Sequence, residues 1–227
     1  MTHRELQNGF TLVEMSIVLV IISLLVGGLL TPLSTQKELE WRTDNAALME
    51  QAREALIGFA LVNGRLPCPD TNLATPGVED ACAPGSTTYR EGDLPWVTLG
   101  LDTGLDPWGN AIRYAVNGAF SNPGLTATTP FPLNTTGAPP NGVLRVSATQ
   151  PANCTVPGTV AENVPAILWS GSKNDYASND ENENTNGDRC FVSKDYNTIA
   201  GTEFDDQVLW LSPNVLFNRM VSAGVLP

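Results

Sequence analysis

Residues 9–30 read GFTLVEMSIVLVIISLLVGGLL, and this stretch decides the fold of the N-terminal part of the chain. Residues 10–30 form an apolar run of 21 residues whose only charged side chain is that of Glu14. As an α-helix the run is about 31 Å long, which matches the hydrocarbon thickness of a bilayer. The sequence therefore predicts a membrane-spanning helix over residues 10–31, preceded by a short polar segment.

A second helical pattern follows the apolar run. Apolar side chains recur there at spacings of three or four residues, which is typical of an amphipathic helix. They are Leu48, Ala52, Leu56, Phe59 and Val62. Gly64 then provides a glycine stop. We therefore expect residues 32–64 to continue the helix, with Gly27, Gly28 and Pro32 favouring a bend or an unwound turn near the junction.

Residues 65–227 predict a globular head of the α+β class. Short β-like runs alternate there with clusters of Pro, Gly, Asn and Thr. The candidate strands are residues 111–116, 143–146, 165–169 and 207–211. Ser212 and Pro213 form a favourable helix start, so a final short helix is predicted up to Gly224. We expect a small antiparallel sheet against the long helix, with long loops and a surface excursion over residues 117–142.

The composition limits the functions that this chain can have. Its 227 residues carry 24 Asp and Glu against 12 Lys and Arg, for a net charge of -12. Phosphate groups are bound by clustered Lys and Arg, so binding to nucleic acid is not expected. Hydrophobic residues make up 42% of the chain, which excludes a disordered protein.

Gly9, Phe10 and Glu14 belong to a run, Gly-Phe-Thr-Leu-Val-Glu, that resembles the cleavage and methylation signature of type IV pilins and type II secretion pseudopilins. The resemblance implies a pilin-like fold in which a prepilin peptidase cuts after Gly9, removes residues 1–9 as a leader and N-methylates Phe10. It also implies that Glu14 pairs with the Phe10 amine of a neighbouring subunit. Opposite charges attract strongly in a medium of low dielectric, which is consistent with that pairing.

The same resemblance implies the partners and the location of the chain. The partners are a prepilin peptidase/methyltransferase, other pilin or pseudopilin subunits and an inner-membrane assembly platform. The chain is expected as a single-pass inner-membrane protein with a periplasmic head before assembly, and in an extracellular or periplasmic filament afterwards. The simpler alternative is an ordinary membrane anchor in which Glu14 reaches the interface.

A second resemblance lies much further along the chain. Asp106 begins the run Asp-Pro-Trp-Gly-Asn, which predicts a turn by its chemistry alone, because Asp can cap the turn, Pro presets φ and Gly accepts the tight conformation. Followed by an aromatic strand, the run also resembles the head signature of type II secretion major pseudopilins.

Four cysteines, Cys68, Cys82, Cys154 and Cys190, follow the apolar run. With a cytoplasmic leader the head lies in an oxidising compartment, so disulfides are expected. We favour Cys68 with Cys82 and Cys154 with Cys190, because each pair closes a loop rich in Pro, Gly and Asn, although other pairings are open. A zinc site is the alternative, but no Cys-x-x-Cys occurs and the single histidine, His3, lies in the leader.

Acidic side chains cluster near the C-terminal end. They are Asp175, Asp180, Glu181, Glu183 and Asp188, followed by Glu203, Asp205 and Asp206. A solvated loop is the simpler interpretation. An EF-hand is excluded, because Asn182 replaces the leading Asp and Ser193 replaces the final Glu.

Two segments around this acidic cluster, residues 168–175 and 205–210, are similar to the calcium loop of major pseudopilins. The resemblance makes Ca²⁺ the candidate cofactor and Asp175 with Asp205 or Asp206 the candidate ligands. This chain departs from the family pattern by an insertion between the two segments that includes Cys190. A disulfide at Cys190 could replace the ion as the link that holds the loop.

These patterns predict a structural subunit of a type IV pilus or type II secretion pseudopilus, and the long head favours a minor or specialised one. The alternative is a binding module, either an adhesin-like pilin at a filament tip or a membrane-anchored extracytoplasmic protein. An enzyme is not expected, because removal of His3 leaves no imidazole base. Asp205 and Asp206 are adjacent, and side chains of adjacent strand residues point to opposite faces, so we do not expect a facing pair of carboxylates there.

Overall fold

A computed structural model of the chain describes residues 11–72, 74–82, 88–126, 131, 144–150 and 159–226, with the backbone alone for residues 26–34. It comprises two compact units, of which the first ends at Thr43 and the second begins at Asp44. The described helices are α1 (Leu12–Asn63), α2 (Asn179–Glu183) and α3 (Pro213–Ser222). The described strands are β1 (Arg90–Asp93), β2 (Arg113–Val116), β3 (Leu144–Ser147), β4 (Thr159–Val164), β5 (Ala166–Ser170), β6 (Cys190–Val192) and β7 (Gln207–Leu211).

Helix α1 ends where the glycine stop predicts. Gly64 has a φ of 70°, and its N–H donates to the carbonyl of Ala60 at 2.8 Å, which closes the last turn as left-handed glycine caps do. The backbone stays helical through Gly27, Gly28 and Pro32, so the unwound turn that these residues favoured does not form.

Among the described residues, no helix combines the length and the apolarity that a membrane crossing requires. The predicted membrane span of residues 10–31 is therefore not confirmed.

Among the described residues, the second unit contains two sheets. The first has the order β1-β2-β5-β7, and all its neighbours are antiparallel. The second has the order β4-β3-β6, in which β4 pairs antiparallel and β6 pairs parallel with β3. Strands β2, β3, β5 and β7 lie at the four predicted positions, whereas β1, β4 and β6 were not predicted.

The first sheet is buried on both faces. Along β5, Ala166 and Leu168 face one core cluster, which also contains residues of α1 and α3. Ile167 and Trp169 face the other cluster, which contains residues of the second sheet. Because strand side chains alternate between the two faces, burial on both sides requires the continuous apolar run that this strand has. The predicted α+β class, with a helix packed on an antiparallel sheet, is confirmed.

The predicted surface excursion over residues 117–142 holds only in part among its described residues, because Pro123, Gly124 and Thr126 are exposed whereas two aromatic side chains are buried. Phe120 and Phe131 are 0% and 1% exposed, and their ring centroids lie 4.9 Å apart. Both rings also contact Phe217 of α3. Aromatic rings bury large apolar areas, so this segment contributes to the core although its composition resembles that of a loop. Residues 127–130 and 132–142 lie outside the described residues.

Candidate functional site

Glu14 lies in the first turn of α1 and caps the N-terminus of this helix. Its Oε2 accepts hydrogen bonds from the backbone N–H of Thr11 at 2.9 Å and from the Thr11 hydroxyl at 2.8 Å. The N–H of Glu14 donates in return to the Thr11 Oγ1 at 3.2 Å. This reciprocal arrangement is a capping box, which the spacing Thr-x-x-Glu can form. Gly9 and Phe10, the predicted processing residues, lie outside the described residues.

The surface around Glu14 is apolar on every side of the helix. Within residues 12–25, the large apolar side chains are all exposed, from 47% at Val18 to 90% at Leu12. A helix that is hydrophobic all round is normally buried in protein or lipid. This first turn of α1 therefore combines a carboxylate with an apolar surface that another apolar surface can cover.

Three carboxylates, those of Glu181, Asp205 and Asp206, meet in the second unit. Each offers an oxygen within 4.8 Å of the others, and the residues are 4%, 0% and 8% exposed. The N–H of Asp205 donates to the Glu181 Oε1 at 2.8 Å. Glu181 Oε2 is buried and has no hydrogen-bond partner among the described residues. We refer to these residues as the carboxylate cluster.

Local structure explains why Glu181 points inward. Ser178 caps α2, since its Oγ accepts from the N–H of Glu181 at 3.3 Å and donates to the carbonyl of Glu203 at 2.6 Å. Because the Ser178 hydroxyl fixes the first turn of α2 against residue 203, the Glu181 side chain reaches Asp205 and does not return to its own helix cap.

Asparagine side chains hold the other two carboxylates. Asn174 donates both its backbone N–H and its Nδ2 to the Asp205 Oδ2, at 3.0 and 2.8 Å. The Nδ2 of Asn184 donates to the Asp206 Oδ2 at 2.7 Å. The Asn184 side chain is itself fixed by hydrogen bonds to the backbone of Val192 in β6. The cluster is thus built by residues from α2, β6 and the segments before and after them.

Burial dominates the electrostatics of the carboxylate cluster. It raises the pKa of Asp206 to about 7 from an ordinary value of 3.8, and Asp205 and Asp175 add to this rise by repulsion. Burial also raises the pKa of Glu181, with repulsion from Asp206 and Asp205 adding to it. Like charges in a buried space cannot all be ionised at low cost, so the cluster must take up protons or a cation.

A second acidic group, Glu183 with Asp188 and Cys190, is less suited to a metal. Cys190 is disulfide-bonded, so its sulfur is not a thiolate ligand. The Glu183 Oε2 already accepts hydrogen bonds from Gln150 at 3.1 Å and from Asn186 at 3.0 Å. Among the described residues, the carboxylate cluster is therefore the better candidate metal site.

Cys68 and Cys82 form a disulfide with Cα atoms 6.0 Å apart, which is the pairing that we favoured from the sequence. Cys154, the expected partner of Cys190, lies outside the described residues.

Two comparisons with known proteins bear on the family of this chain. A family model described as the prokaryotic N-terminal methylation motif matches residues 5–30. The type II secretion system core protein G of Aeromonas hydrophila is 29% identical over 122 residues, which cover 52% of this chain and 79% of that protein. Together these matches support the pilin and pseudopilin family. No solved structure gives a significant match.

Subunits of the pilin and pseudopilin family are structural and non-enzymatic, and they interact with other subunits and with assembly machinery. They are membrane-associated, and their filaments are extracellular or periplasmic. The matches therefore support a type IV pilin or type II secretion pseudopilin subunit.

The pseudopilin resemblance pointed to only part of the carboxylate cluster. The structure brings Asp205 and Asp206 together, but Asp175 is exposed and does not belong to the cluster. We did not expect a facing pair of carboxylates at Asp205 and Asp206, but the strand geometry behind that expectation does not apply, because both residues precede β7, which begins at Gln207, and their oxygens lie within 4.8 Å of each other. Glu181 was not predicted as a ligand. The spacing Ser178-x-x-Glu181 could have revealed the helix start that directs it inward.

Proposed function

We propose that this chain is a filament-forming structural subunit that assembles through the first part of α1. The observation that carries the proposal is the exposed apolar surface of residues 12–25 around Glu14, at the position of the matched methylation motif. Removing apolar area from water is favourable by about 25 cal/mol per Å², before the entropy cost of association is subtracted. A filament core or a bilayer can supply that burial.

The finer steps of the proposal concern processing and pairing. A prepilin peptidase/methyltransferase cleaves after Gly9 and methylates Phe10, and Glu14 then pairs with the Phe10 amine of a neighbouring subunit. Both capping hydrogen bonds from Thr11 go to one Glu14 oxygen, Oε2. The Glu14 carboxylate can therefore cap its own helix and also face a positive charge on a neighbouring subunit. Before assembly the chain resides as a single-pass protein in the inner membrane, where it meets the assembly platform, with its head in the periplasm.

The head supports a minor or specialised position in the filament. The match to protein G covers 52% of this chain, and the head contains a second sheet, β4-β3-β6, packed on the first. Immunogold labelling tests this part of the proposal. Sparse or terminal labels are expected, whereas dense labelling along whole filaments would contradict a minor role.

Replacing Gly9 by Ala is expected to slow removal of the leader, because the added methyl group lies at the bond that the peptidase must cut. The check is mass spectrometry of the N-terminus of membrane-extracted protein. Asn8→Ala, which changes the neighbouring residue and leaves the glycine in place, is the control. If Gly9→Ala and wild type yield the same fraction of chains that begin at Phe10, cleavage after Gly9 is not supported.

The carboxylate cluster fits a hard divalent cation, and we place Ca²⁺ there. Ca²⁺ takes oxygen ligands from carboxylates and carbonyls, and the cluster offers three carboxylates within 4.8 Å of one another. The buried Glu181 Oε2, which lacks a hydrogen-bond partner among the described residues, is the atom that a cation would satisfy. Glu181, Asp205 and Asp206 would hold the ion, whose positive charge would offset the repulsion that adds to the effect of burial on the pKa values of Glu181 and Asp206.

Calorimetric titration of the full chain in detergent is expected to show one Ca²⁺ site near neutral pH. Glu181→Gln should raise the dissociation constant by about tenfold or more, because it removes one charged ligand worth at least about 1.4 kcal/mol. Asp195→Asn is the matched control, since Asp195 is exposed and lies outside the cluster. If millimolar Ca²⁺ produces neither a heat of binding nor a shift in melting temperature, the proposed metal site is wrong.

A further inference from the structure

The turn Asp106–Asn110 is closed on itself by the carboxylate of its first residue. Asp106 is 5% exposed, and its Oδ1 accepts from the N–H groups of Trp108 at 3.0 Å and Asn110 at 2.8 Å. The backbone N–H of Asp106 donates to the carbonyl of Asn110 at 2.8 Å. The turn is therefore a rigid element whose outward-directed groups can position other segments.

Two side chains of this turn reach the segment that follows β5. The hydroxyl of Ser170, the last residue of β5, donates to the Asp106 Oδ2 at 2.6 Å, and it accepts from the N–H of Ser172 at 3.1 Å. The Nδ2 of Asn110 donates to the carbonyl of Ser172 at 2.6 Å. The turn thus holds Ser172 in two ways. Asn110 binds the Ser172 carbonyl directly, and Asp106 holds the Ser172 N–H through the Ser170 hydroxyl.

Ser172 has an unusual backbone conformation that needs such support. Its φ is 50°, in the left-handed region that costs free energy in residues other than glycine. It is also completely buried. A strained residue persists where its surroundings fix it in several ways, and the hydrogen bonds to Ser170 and Asn110 do so here. Without them, the chain after β5 would relax to a different direction.

Two residues after Ser172, the chain reaches the carboxylate cluster. Asn174 donates its N–H and its Nδ2 to the Asp205 Oδ2. We propose that the turn Asp106–Asn110 is a positioning element for the cluster: through Ser172 it delivers Asn174 to Asp205, and so sets how tightly the cluster holds a cation. With Ca²⁺ as the probe, this inference rests on the metal site under Proposed function.

The variant Asn110→Ala tests the inference on the full chain in detergent. Asn110 is exposed and its backbone bonds to Asp106 remain in the variant, so the turn should still form. We expect the Ca²⁺ dissociation constant to rise about fivefold, equivalent to the loss of one hydrogen bond of about 1 kcal/mol. Relative to the control Asn218→Ala, which removes an exposed Asn from α3, the metal-free melting temperature should fall by no more than the loss of this one hydrogen bond explains.

The conservative variant Asp106→Asn separates positioning from charge. Its side-chain oxygen can keep both backbone bonds of the turn, and its amide can donate to the Ser170 Oγ. Ca²⁺ affinity close to that of wild type is therefore expected. If Asn110→Ala binds Ca²⁺ as wild type does, or if it loses affinity only in step with its melting temperature, positioning by the turn is overturned.

Hydrogen exchange at the Asn174 amide distinguishes failure of the inference from failure of the metal site. If wild type binds no Ca²⁺, the metal proposal fails, and exchange in the metal-free chain then decides the positioning role alone. Faster exchange at Asn174 in Asn110→Ala than in Asn218→Ala supports positioning by the turn. Equal exchange in the two variants overturns it.

Discussion

Replacing Glu14 by Gln is expected to leave removal of residues 1–9 intact and to abolish incorporation into filaments. A Gln side-chain oxygen can still accept the hydrogen bonds that Thr11 donates to Glu14, because Gln serves as well as Glu in a capping box. It cannot supply the negative charge. In the proposed pairing, a Phe10 ammonium left buried between subunits without a partner would cost several kcal/mol, and each subunit would add this cost, so assembly should fail.

Two measurements separate processing from assembly. Mass spectrometry of membrane-extracted protein reports the N-terminus, and immunoblotting of sheared filaments reports incorporation. Glu14→Val, which removes the cap together with the charge, should give the same loss of incorporation. Thr11→Val is the control, since it keeps both the carboxylate and the Thr11 N–H donor and should assemble. If Glu14→Gln is incorporated into filaments as wild type is, the helix cap accounts for the role of Glu14 and the proposed charge pairing is wrong.

Local sequence signals account for the elements that could be predicted. The alternation of Ile112, Tyr114 and Val116 predicts one shared face, and all three side chains are buried in the same core cluster. A glycine in the left-handed region follows both α1 and α3, at Gly64 and Gly224, as the helix-stop signals indicate. These signals depend on a few neighbouring residues, so they can be read without knowledge of the tertiary structure.

The unpredicted strands lack such local signals. Strand β1 reads Arg-Glu-Gly-Asp, a polar sequence at the edge of the first sheet, where propensity is a weak guide. Strand β6 has three residues and gains its place by parallel pairing with β3. Pairing between segments distant in the chain is decided by tertiary packing, which the sequence pattern of a short segment does not record.

The carboxylate cluster, too, could be predicted from the sequence only in part. The acidic residues could be found from composition, but which of them meet depends on where β7 begins and on how Ser178 starts α2. Glu181 enters the cluster because its side chain accepts from the Asp205 backbone, a contact across 24 positions of the chain. No local pattern encodes that contact, so the set of ligands required the structure.

The cluster makes the stability of the metal-free chain depend on pH. Because the pKa of Asp206 is raised from 3.8 to about 7 in the folded chain, the folded state holds a proton that the unfolded state releases. The stabilising contribution is therefore fully present below about pH 4 and is lost as the pH rises toward 7. Glu181 acts in the same direction, because its pKa is raised as well.

As the pH rises from 5 to 7, we expect the deprotonation of Asp206 to lower the free energy of unfolding by about 2–3 kcal/mol, at about 1.4 kcal/mol for each pH unit. The measurement is denaturant unfolding of the full chain in detergent with a Ca²⁺ chelator, for wild type and Asp206→Asn. Asn is uncharged, like the protonated carboxyl, so the variant should lose less stability over this range than wild type, and Asp195→Asn should behave as wild type.

Saturating Ca²⁺ should flatten the wild-type profile, since the ion replaces the proton as the counter-charge. Parallel profiles for wild type and Asp206→Asn would show that Asp206 does not hold the proton.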